Sequence, residues 1–143
     1  MKRTATALWK GNGPDGTGTL TTQSGVLKDQ PYSARLRFQN EDGKAGTNPE
    51  ELIAAAHAGC FAMALSFQLT NAGFTPEALH VDAAVTLEKT DGGFAIPAVH
   101  LTLKATVPGL DEKTFHELAN VAKENCPVSK VLNADITLDA TLA

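Results

Sequence analysis

Cysteine is scarce in this chain: its 143 residues include only two, Cys60 and Cys126. No export signal is indicated, because Lys2 and Arg3 are followed by a mixed stretch and not by a continuous apolar run. A disulfide framework that staples a small secreted fold is therefore not expected. We expect a cytoplasmic protein whose two thiols take part in redox chemistry.

An excess of positive charge is also lacking. The chain has 12 Lys and Arg residues against 16 Asp and Glu residues, and neither sign forms a run. Nucleic acid is not an expected partner, because its binding needs a basic stripe that neutralises phosphates. The one long apolar stretch, residues 52–67, contains His57 and Ser66 and is shorter than the roughly 20 residues of a membrane span. A membrane is therefore not an expected partner either.

Internal repeats, linkers and low-complexity tracts are absent from the sequence. The length suits one ordinary domain that buries a core without disulfides, so we expect a single domain over residues 1–143. The sequence of the first part of the chain predicts short strands and turns. The alternation in Tyr32–Phe38 predicts a strand with Arg35 and Arg37 on one face and the aromatic residues on the other.

A long helix is predicted from Pro49 to about Asn71. Asn48 suits its N-cap, Pro49 suits its first turn, and Gly73 suits its end. The helix is apolar nearly all round, so it must be covered on several sides. Its many alanines allow another backbone to approach closely, which favours either a sheet wrapped around it or a second copy of the helix in a dimer.

The second half of the chain predicts a hairpin, a helix and a final strand. Two long alternating segments within residues 79–107 are separated by the turn sequence Asp91-Gly92-Gly93. The next helix is expected over residues 111–125, and alternation around Leu138 predicts the last strand. The resulting order indicates an α+β fold with a largely antiparallel sheet.

Cys126 follows the second predicted helix and precedes a proline. Pro127 is expected to open a short turn or helix that runs through Leu132. The Cys126 sulfur would then lie near a helix N-terminus, a position that favours the thiolate form.

Three segments carry the most specific motifs: GTNPEEL at residues 46–52, AAHAGCFAMAL at 55–65 and CPVS at 126–129. Together they resemble the OsmC/Ohr family of osmotically inducible and organic-hydroperoxide-resistance proteins, and the resemblance extends over essentially the whole chain. It implies an intertwined α+β homodimer with sheets wrapped around central helices. It also implies thiol-dependent reduction of organic hydroperoxides and, less well in some branches, of hydrogen peroxide. Val128 resembles the OsmC branch, because the Ohr branch usually has an aromatic residue there.

The resemblance identifies Cys60 as the residue that attacks the peroxide. Only a thiolate attacks the O–O bond, and burial raises the pKa of a thiol, so Cys60 needs a cation. Arg37 matches the active-site arginine of the family, and Arg35 is the competitor on the same predicted strand face. Glu50 matches the glutamate that holds this arginine in a bidentate pair, whereas Glu51 is expected to be solvated.

The geometry of the predicted helix limits whether Glu50 and Cys60 of one chain can serve the same site. Glu50 and Cys60 are separated by about 15 Å along an unbroken helix at about 1.5 Å per residue. If both serve one site, Glu50 must come from a second subunit. The dimer would then be obligate for catalysis.

The family resemblance implies that Cys126 attacks the sulfenic acid of Cys60 and forms a disulfide with it. An external dithiol, of lipoyl type in the family, would reduce this disulfide. No metal or organic cofactor is implied. A zinc site from His57 and the two cysteines would lack a fourth ligand.

Several residues have two interpretations. His57 is either a base near Cys60 or an interior or interface histidine with its hydrogen bonds satisfied. The other histidines are expected to be solvated: His80, His100 and His116. Four large apolar residues of the long helix are either core or the lining of a pocket for an apolar peroxide: Phe61, Met63, Leu65 and Phe67.

Two other functions use the same features. A general dithiol–disulfide exchange protein would use both cysteines, although such proteins usually carry them as Cys-x-x-Cys. A carrier of apolar ligands would use the pocket without the thiols.

Overall fold

The computed structural model describes all of residues 1–143. Its elements are β1 (Ala5–Lys10), β2 (Thr17–Thr22), β3 (Gln30–Ser33), α1 (Ala34–Phe38), α2 (Pro49–Asn71), β4 (Ala78–Thr90), β5 (Gly93–Thr106), α3 (Glu112–Asn125), α4 (Pro127–Val131) and β6 (Asp135–Leu142). Contacts divide the chain into two compact units, Met1–Leu52 and Ile53–Ala143. That the chain is a single domain stays a prediction.

The first unit contains a three-stranded antiparallel sheet in the order β1-β2-β3. β3 ends at Ser33, whose side chain accepts a hydrogen bond from the Leu36 N–H at 3.1 Å and caps α1. The predicted strand over Tyr32–Phe38 is therefore wrong beyond Ser33. Residues two apart on a helix point about 200° away from each other, so Arg35 and Arg37 do not share a face.

Helix α2 has the predicted ends. Asn48 Oδ1 accepts a hydrogen bond from the Glu51 N–H at 2.8 Å, which satisfies one of the free donors of the first turn. At the other end, Gly73 has φ +88°, a conformation that glycine adopts without steric cost. The helix is continuous over its 23 residues.

Only one stripe of α2 is buried in the chain: His57, Phe61, Leu65 and Leu69. The single chain therefore covers this helix on one side only, and coverage of the other side by a second copy stays a prediction. The opposite stripe is apolar as well, and Met63 and Phe67 on it are 64% and 63% exposed. A Cβ added to Gly59 would meet no atom within 4 Å, so space is open beside the helix at this point.

The length argument against a membrane span also needs correction. Helix α2 has 23 residues and a mean hydropathy of 1.6, which is sufficient to cross a membrane by length and composition alone. A helix from the core of a water-soluble protein passes the same test, so this property is weak evidence of a span.

The second unit contains the sheet β4-β5-β6. β4 and β5 form the predicted antiparallel hairpin, and its turn is closed by the pairing of Thr90 with Gly93. β6 runs parallel to β5, because α3 and α4 carry the chain back between them. The buried side chains of β5 and α3 pack with the buried stripe of α2 into one core: Phe61, Leu65, Leu69, Val99, Leu101, Leu103, Ala105, Val107, Leu110, Phe115, Ala119, Ala122 and Cys126.

Candidate functional site

The two thiols of the chain lie in contact. Cys60 is in the middle of α2 and Cys126 directly precedes α4, and their Sγ atoms are 2.9 Å apart, in a hydrogen bond between two free thiols. Cys126 is fully buried, whereas Cys60 is partly exposed. A disulfide has an S–S length of about 2.05 Å, so the pair can close with a movement of about 1 Å.

The end of α3 determines where Cys126 lies. The Cys126 N–H donates to the Ala122 carbonyl in the last hydrogen bond of α3. The Cys126 carbonyl accepts from the Lys130 N–H in the first hydrogen bond of α4. The N–H of Val128, in the first turn of α4, donates to the Cys60 sulfur. The sequence predicted that this helix start would act on Cys126; in the structure its N–H group reaches Cys60.

Burial raises the pKa of the Cys60 thiol above its ordinary value. The interaction with Cys126 raises this pKa further, because a sulfur atom so close can share the Cys60 proton and disfavours a second negative charge. The Val128 N–H opposes both effects because it stabilises the thiolate. The pKa remains raised on balance. The cysteine pair by itself therefore favours the neutral thiol, and a nucleophilic Cys60 requires an additional positive group.

Arg37 and Glu50 form a bidentate ion pair within one chain. Arg37 Nε lies 3.1 and 3.2 Å from the two Glu50 carboxylate oxygens, and one terminal guanidinium nitrogen also donates to Oε1. The Glu50 side chain is 12% exposed and that of Arg37 is 32% exposed. Arg35 is exposed, as is Glu51, which accepts a hydrogen bond from the Thr47 hydroxyl.

A cavity of about 140 Å³ adjoins the Arg37 side chain. Its lining is largely apolar and comprises Trp9, Tyr32, Ser33, Ala34, Arg37, Phe38, Thr47, Asn48 and Pro49. The small volume and the single guanidinium suit the end of a small apolar molecule with a polar group. The sequence interpretation missed this cavity.

Gly18 explains how the two aromatic rings of the cavity meet. It lies between Trp9 and Tyr32 in the strand register, and the ring centroids of these two residues are 5.4 Å apart across it. A Cβ on Gly18 would lie 2.5 Å from Tyr32 and 2.9 Å from Trp9. A glycine flanked by aromatic residues on neighbouring strands is a recognisable pattern. It needs the strand register, which the sequence did not supply.

His57 lies on the same helix as Cys60, one turn earlier, and is fully buried. Its Nε2 is 2.7 Å from the Ser129 Oγ, whereas its Nδ1 is buried without a hydrogen-bond partner. His57 is thus the predicted interior histidine, but only one of its two ring nitrogens has a hydrogen-bond partner. Burial lowers the pKa of His57, which favours the neutral ring. Ser129 belongs to the CPVS motif at 126–129, but the sequence assigned it no role of its own.

The remaining histidines are not merely solvated. Each has a carboxylate within 3.3 Å: Asp82 beside His80, Asp139 beside His100, and Glu112 beside His116. The expectation that these histidines are solvated is nevertheless confirmed, because their side chains are 70%, 42% and 50% exposed. No group of three or more His, Cys, Asp or Glu side chains is placed to hold a metal ion.

The four large apolar residues of α2 divide into two pairs. Phe61 and Leu65 are core residues, while Met63 and Phe67 are exposed. The predicted site residues therefore form two groups, one in each unit. One is the Arg37–Glu50 pair in Met1–Leu52, and the other is the cysteine pair with His57 in Ile53–Ala143, where Ser129 joins it.

Comparisons with known proteins point to one family. The family described as OsmC-like protein matches residues 41–141. The chain is 52% identical to Peroxiredoxin OsmC of Escherichia coli over 136 residues, which cover 95% of this chain and 93% of that protein. It is 34% identical to the organic hydroperoxide resistance protein OhrB of Bacillus subtilis over 126 residues, covering 85% and 88%.

A solved structure gives the same result for the fold. The crystal structure of Bacillus subtilis OhrB superposes with a TM-score of 0.70 at 33% identity and covers 96% of this chain and 98% of that one. The α+β fold predicted from the sequence is thereby confirmed. The higher identity to the OsmC relative agrees with the branch that Val128 indicated.

Proposed function

Because this chain belongs to the OsmC-like protein family, we propose that it is a cysteine-based peroxidase that reduces organic hydroperoxides and also hydrogen peroxide. The observation that carries the proposal is the contact between two free thiols, 2.9 Å apart although 66 residues separate them in the chain. A pair at this distance can pass through a sulfenic acid to a disulfide. The cavity beside Arg37 supports a substrate with an apolar body.

The first step oxidises Cys60. Its thiolate attacks one peroxide oxygen, an S–O bond forms, and the O–O bond breaks. The sulfur gives up two electrons, and the other oxygen leaves as an alcohol or, from hydrogen peroxide, as water, after it takes up a proton from solvent in place of the one that Cys60 lost on ionisation. Cys60 is then a sulfenic acid.

The second step joins the two cysteines. The Cys126 sulfur attacks the sulfur of the sulfenic acid, an S–S bond forms, and the S–O bond breaks. The oxygen leaves as water with the thiol proton of Cys126. An external dithiol then returns both cysteines to thiols and becomes a disulfide itself. We propose a lipoyl-type dithiol for this role.

Arg37 supplies the positive charge that Cys60 needs in this proposal. A guanidinium remains charged at every working pH, and Glu50 fixes its orientation through the bidentate pair. Because α2 is continuous, about 15 Å of helix separate Glu50 from Cys60. We therefore propose that Arg37 and Glu50 of one subunit serve Cys60 and Cys126 of another.

An obligate homodimer also accounts for the exposed side of α2. The stripe Ala55, Gly59, Met63 and Phe67 is apolar and uncovered in the single chain. Burial of such a stripe against a second copy removes apolar surface from water. In this proposal the dimer, and not a membrane, covers α2. The protein works in the cytoplasm, with neither metal, organic cofactor nor nucleic acid as a partner.

One equivalent of cumene hydroperoxide is expected to convert the reduced protein into a form with an intrachain Cys60–Cys126 disulfide. Both free thiols should disappear together, because the second step follows the first within one site. Thiol titration and peptide mapping by mass spectrometry measure this result. The Cys126→Ser variant is the control and should instead show a trappable sulfenic acid on Cys60. Reaction with a mixed disulfide but not with the peroxide would overturn the proposal in favour of thiol–disulfide exchange.

Mixed dimers test the shared site. Near neutral pH, Cys60→Ser should be inactive alone and Arg37→Met should keep at most about one tenth of the wild-type activity, because each removes one part from both sites. In a dimer that contains one subunit of each, one site regains both wild-type residues. Random association at equal concentrations should therefore restore about one quarter of the wild-type activity, since half of the dimers are mixed and each has one intact site of two. No recovery after co-refolding would contradict a site built from two subunits.

A further inference from the structure

Two side-chain contacts join α2 to the segment Cys126–Ser129. Cys60 meets Cys126, and one turn earlier on α2 His57 meets Ser129 at 2.7 Å. Within both elements the two residues are three positions apart. The pairs His57–Ser129 and Cys60–Cys126 are therefore two successive contacts between α2 and the segment Cys126–Ser129. The two segments run in opposite directions, so the earlier residue of α2 contacts the later residue of the segment.

Little else in α4 holds this segment in place. The helix has only five residues, contains no fully buried residue, and has no side-chain hydrogen bond at its N-cap. Val128 and Leu132 pack against the core from partly exposed positions. A helix this short has little stability of its own, so the end of α3, through the Ala122 carbonyl, and the contacts with α2 together hold Cys126 in place.

Burial of the His57 imidazole costs free energy of folding, because one ring nitrogen has no hydrogen-bond partner. In a neutral ring one nitrogen carries a proton and the other does not, so either tautomer can satisfy Ser129 through Nε2. Nδ1 remains buried and unpartnered in both cases. An apolar side chain would avoid this cost, which indicates that the bond to Ser129 has a use beyond filling the core.

We propose that His57 is a positioning residue that, through Ser129, holds Cys126 against Cys60 for disulfide formation. This inference rests on the proposed peroxidase function and assigns His57 no part in the attack on the peroxide. Without the His57–Ser129 hydrogen bond, Cys126 moves away from Cys60 more often, and the sulfenic acid of Cys60 persists longer. A second peroxide can then transfer an oxygen to it, giving a sulfinic acid and another alcohol.

The decisive experiment follows the two steps separately. The reduced protein is mixed with one equivalent of cumene hydroperoxide and quenched at successive times, and mass spectrometry counts sulfenic acid, disulfide and sulfinic acid. Ser129→Ala should form sulfenic acid at the wild-type rate but form the disulfide about tenfold more slowly, the expected effect of one lost hydrogen bond. Sulfinic acid should accumulate when peroxide is in excess.

Two conservative variants are the matched controls. Ser129→Thr keeps the hydroxyl, and His57→Gln keeps a polar nitrogen at nearly the reach of Nε2, so both should restore much of the disulfide rate. The Ser129 variants alone suffice if His57→Gln fails to fold, because Ser129 is only partly buried. An unchanged disulfide rate in Ser129→Ala, or equal slowing of both steps, would overturn the inference. Absence of sulfenic acid and disulfide in the unsubstituted protein would instead overturn the peroxidase function, and the inference with it.

Discussion

Replacement of Cys60 by serine is expected to lower peroxide consumption to the uncatalysed rate. A serine hydroxyl is not ionised near neutral pH and cannot take up the peroxide oxygen as a sulfenic acid, so the first step is lost entirely. Consumption of cumene hydroperoxide with dithiothreitol as reductant measures the effect. A monothiol reductant, tested in parallel, separates the first oxidation from the recycling of a disulfide.

Cys126→Ser is the control for this result, because it removes the second thiol but leaves the first. It should consume one equivalent of peroxide and then become over-oxidised on Cys60, particularly with the monothiol. The assigned roles would be reversed if Cys126→Ser were inactive from the first turnover while Cys60→Ser remained active. A Cys60→Ser protein that keeps a biological function through binding of apolar molecules would favour the carrier interpretation.

Replacement of Arg37 by methionine is expected to lower the rate of Cys60 oxidation near neutral pH by about one to three orders of magnitude. A neighbouring positive charge lowers the pKa of an acidic group by about 1–3 units, and each unit changes the thiolate fraction about tenfold below the pKa. Burial and the Cys126 thiol already raise the pKa of Cys60. Without the guanidinium this raised pKa is not offset, so the thiolate is present only at higher pH.

The pH profile distinguishes this effect from simple damage to the fold. The rate of Arg37→Met should rise with pH over a range where the wild-type rate is already level, and part of the loss should be recovered there. Arg35→Met is the matched control, because Arg35 is exposed on the same short helix and points away from Arg37. A lower rate with an unshifted pH profile would contradict the role of Arg37 as the charge beside Cys60.

Local signals made much of the fold predictable. The ends of α2 follow from Asn48 and Gly73, and the β4–β5 turn follows from adjacent glycines. The failure at Tyr32–Phe38 has a physical reason: seven residues contain too few turns to separate a helical from a strand period. The hydroxyl of Ser33 decides between them by capping α1.

The candidate site was likewise only partly predictable from the sequence. Both cysteines, Arg37 and Glu50 were singled out from motifs that are continuous in the chain. The bond between His57 and Ser129 joins residues 72 positions apart, so no local pattern reveals it. The cavity beside Arg37 likewise depends on a strand register that brings two aromatic rings together across Gly18. Tertiary pairing, and not residue type, determines these features.

The aromatic wall of that cavity has an optical consequence. Trp9 and Tyr32 are the only tryptophan and the only tyrosine in the chain. All indole and phenol absorption and emission of the protein therefore originate at one place, next to the guanidinium of Arg37. The molecule carries an intrinsic fluorescent reporter for whatever enters there, without any attached label.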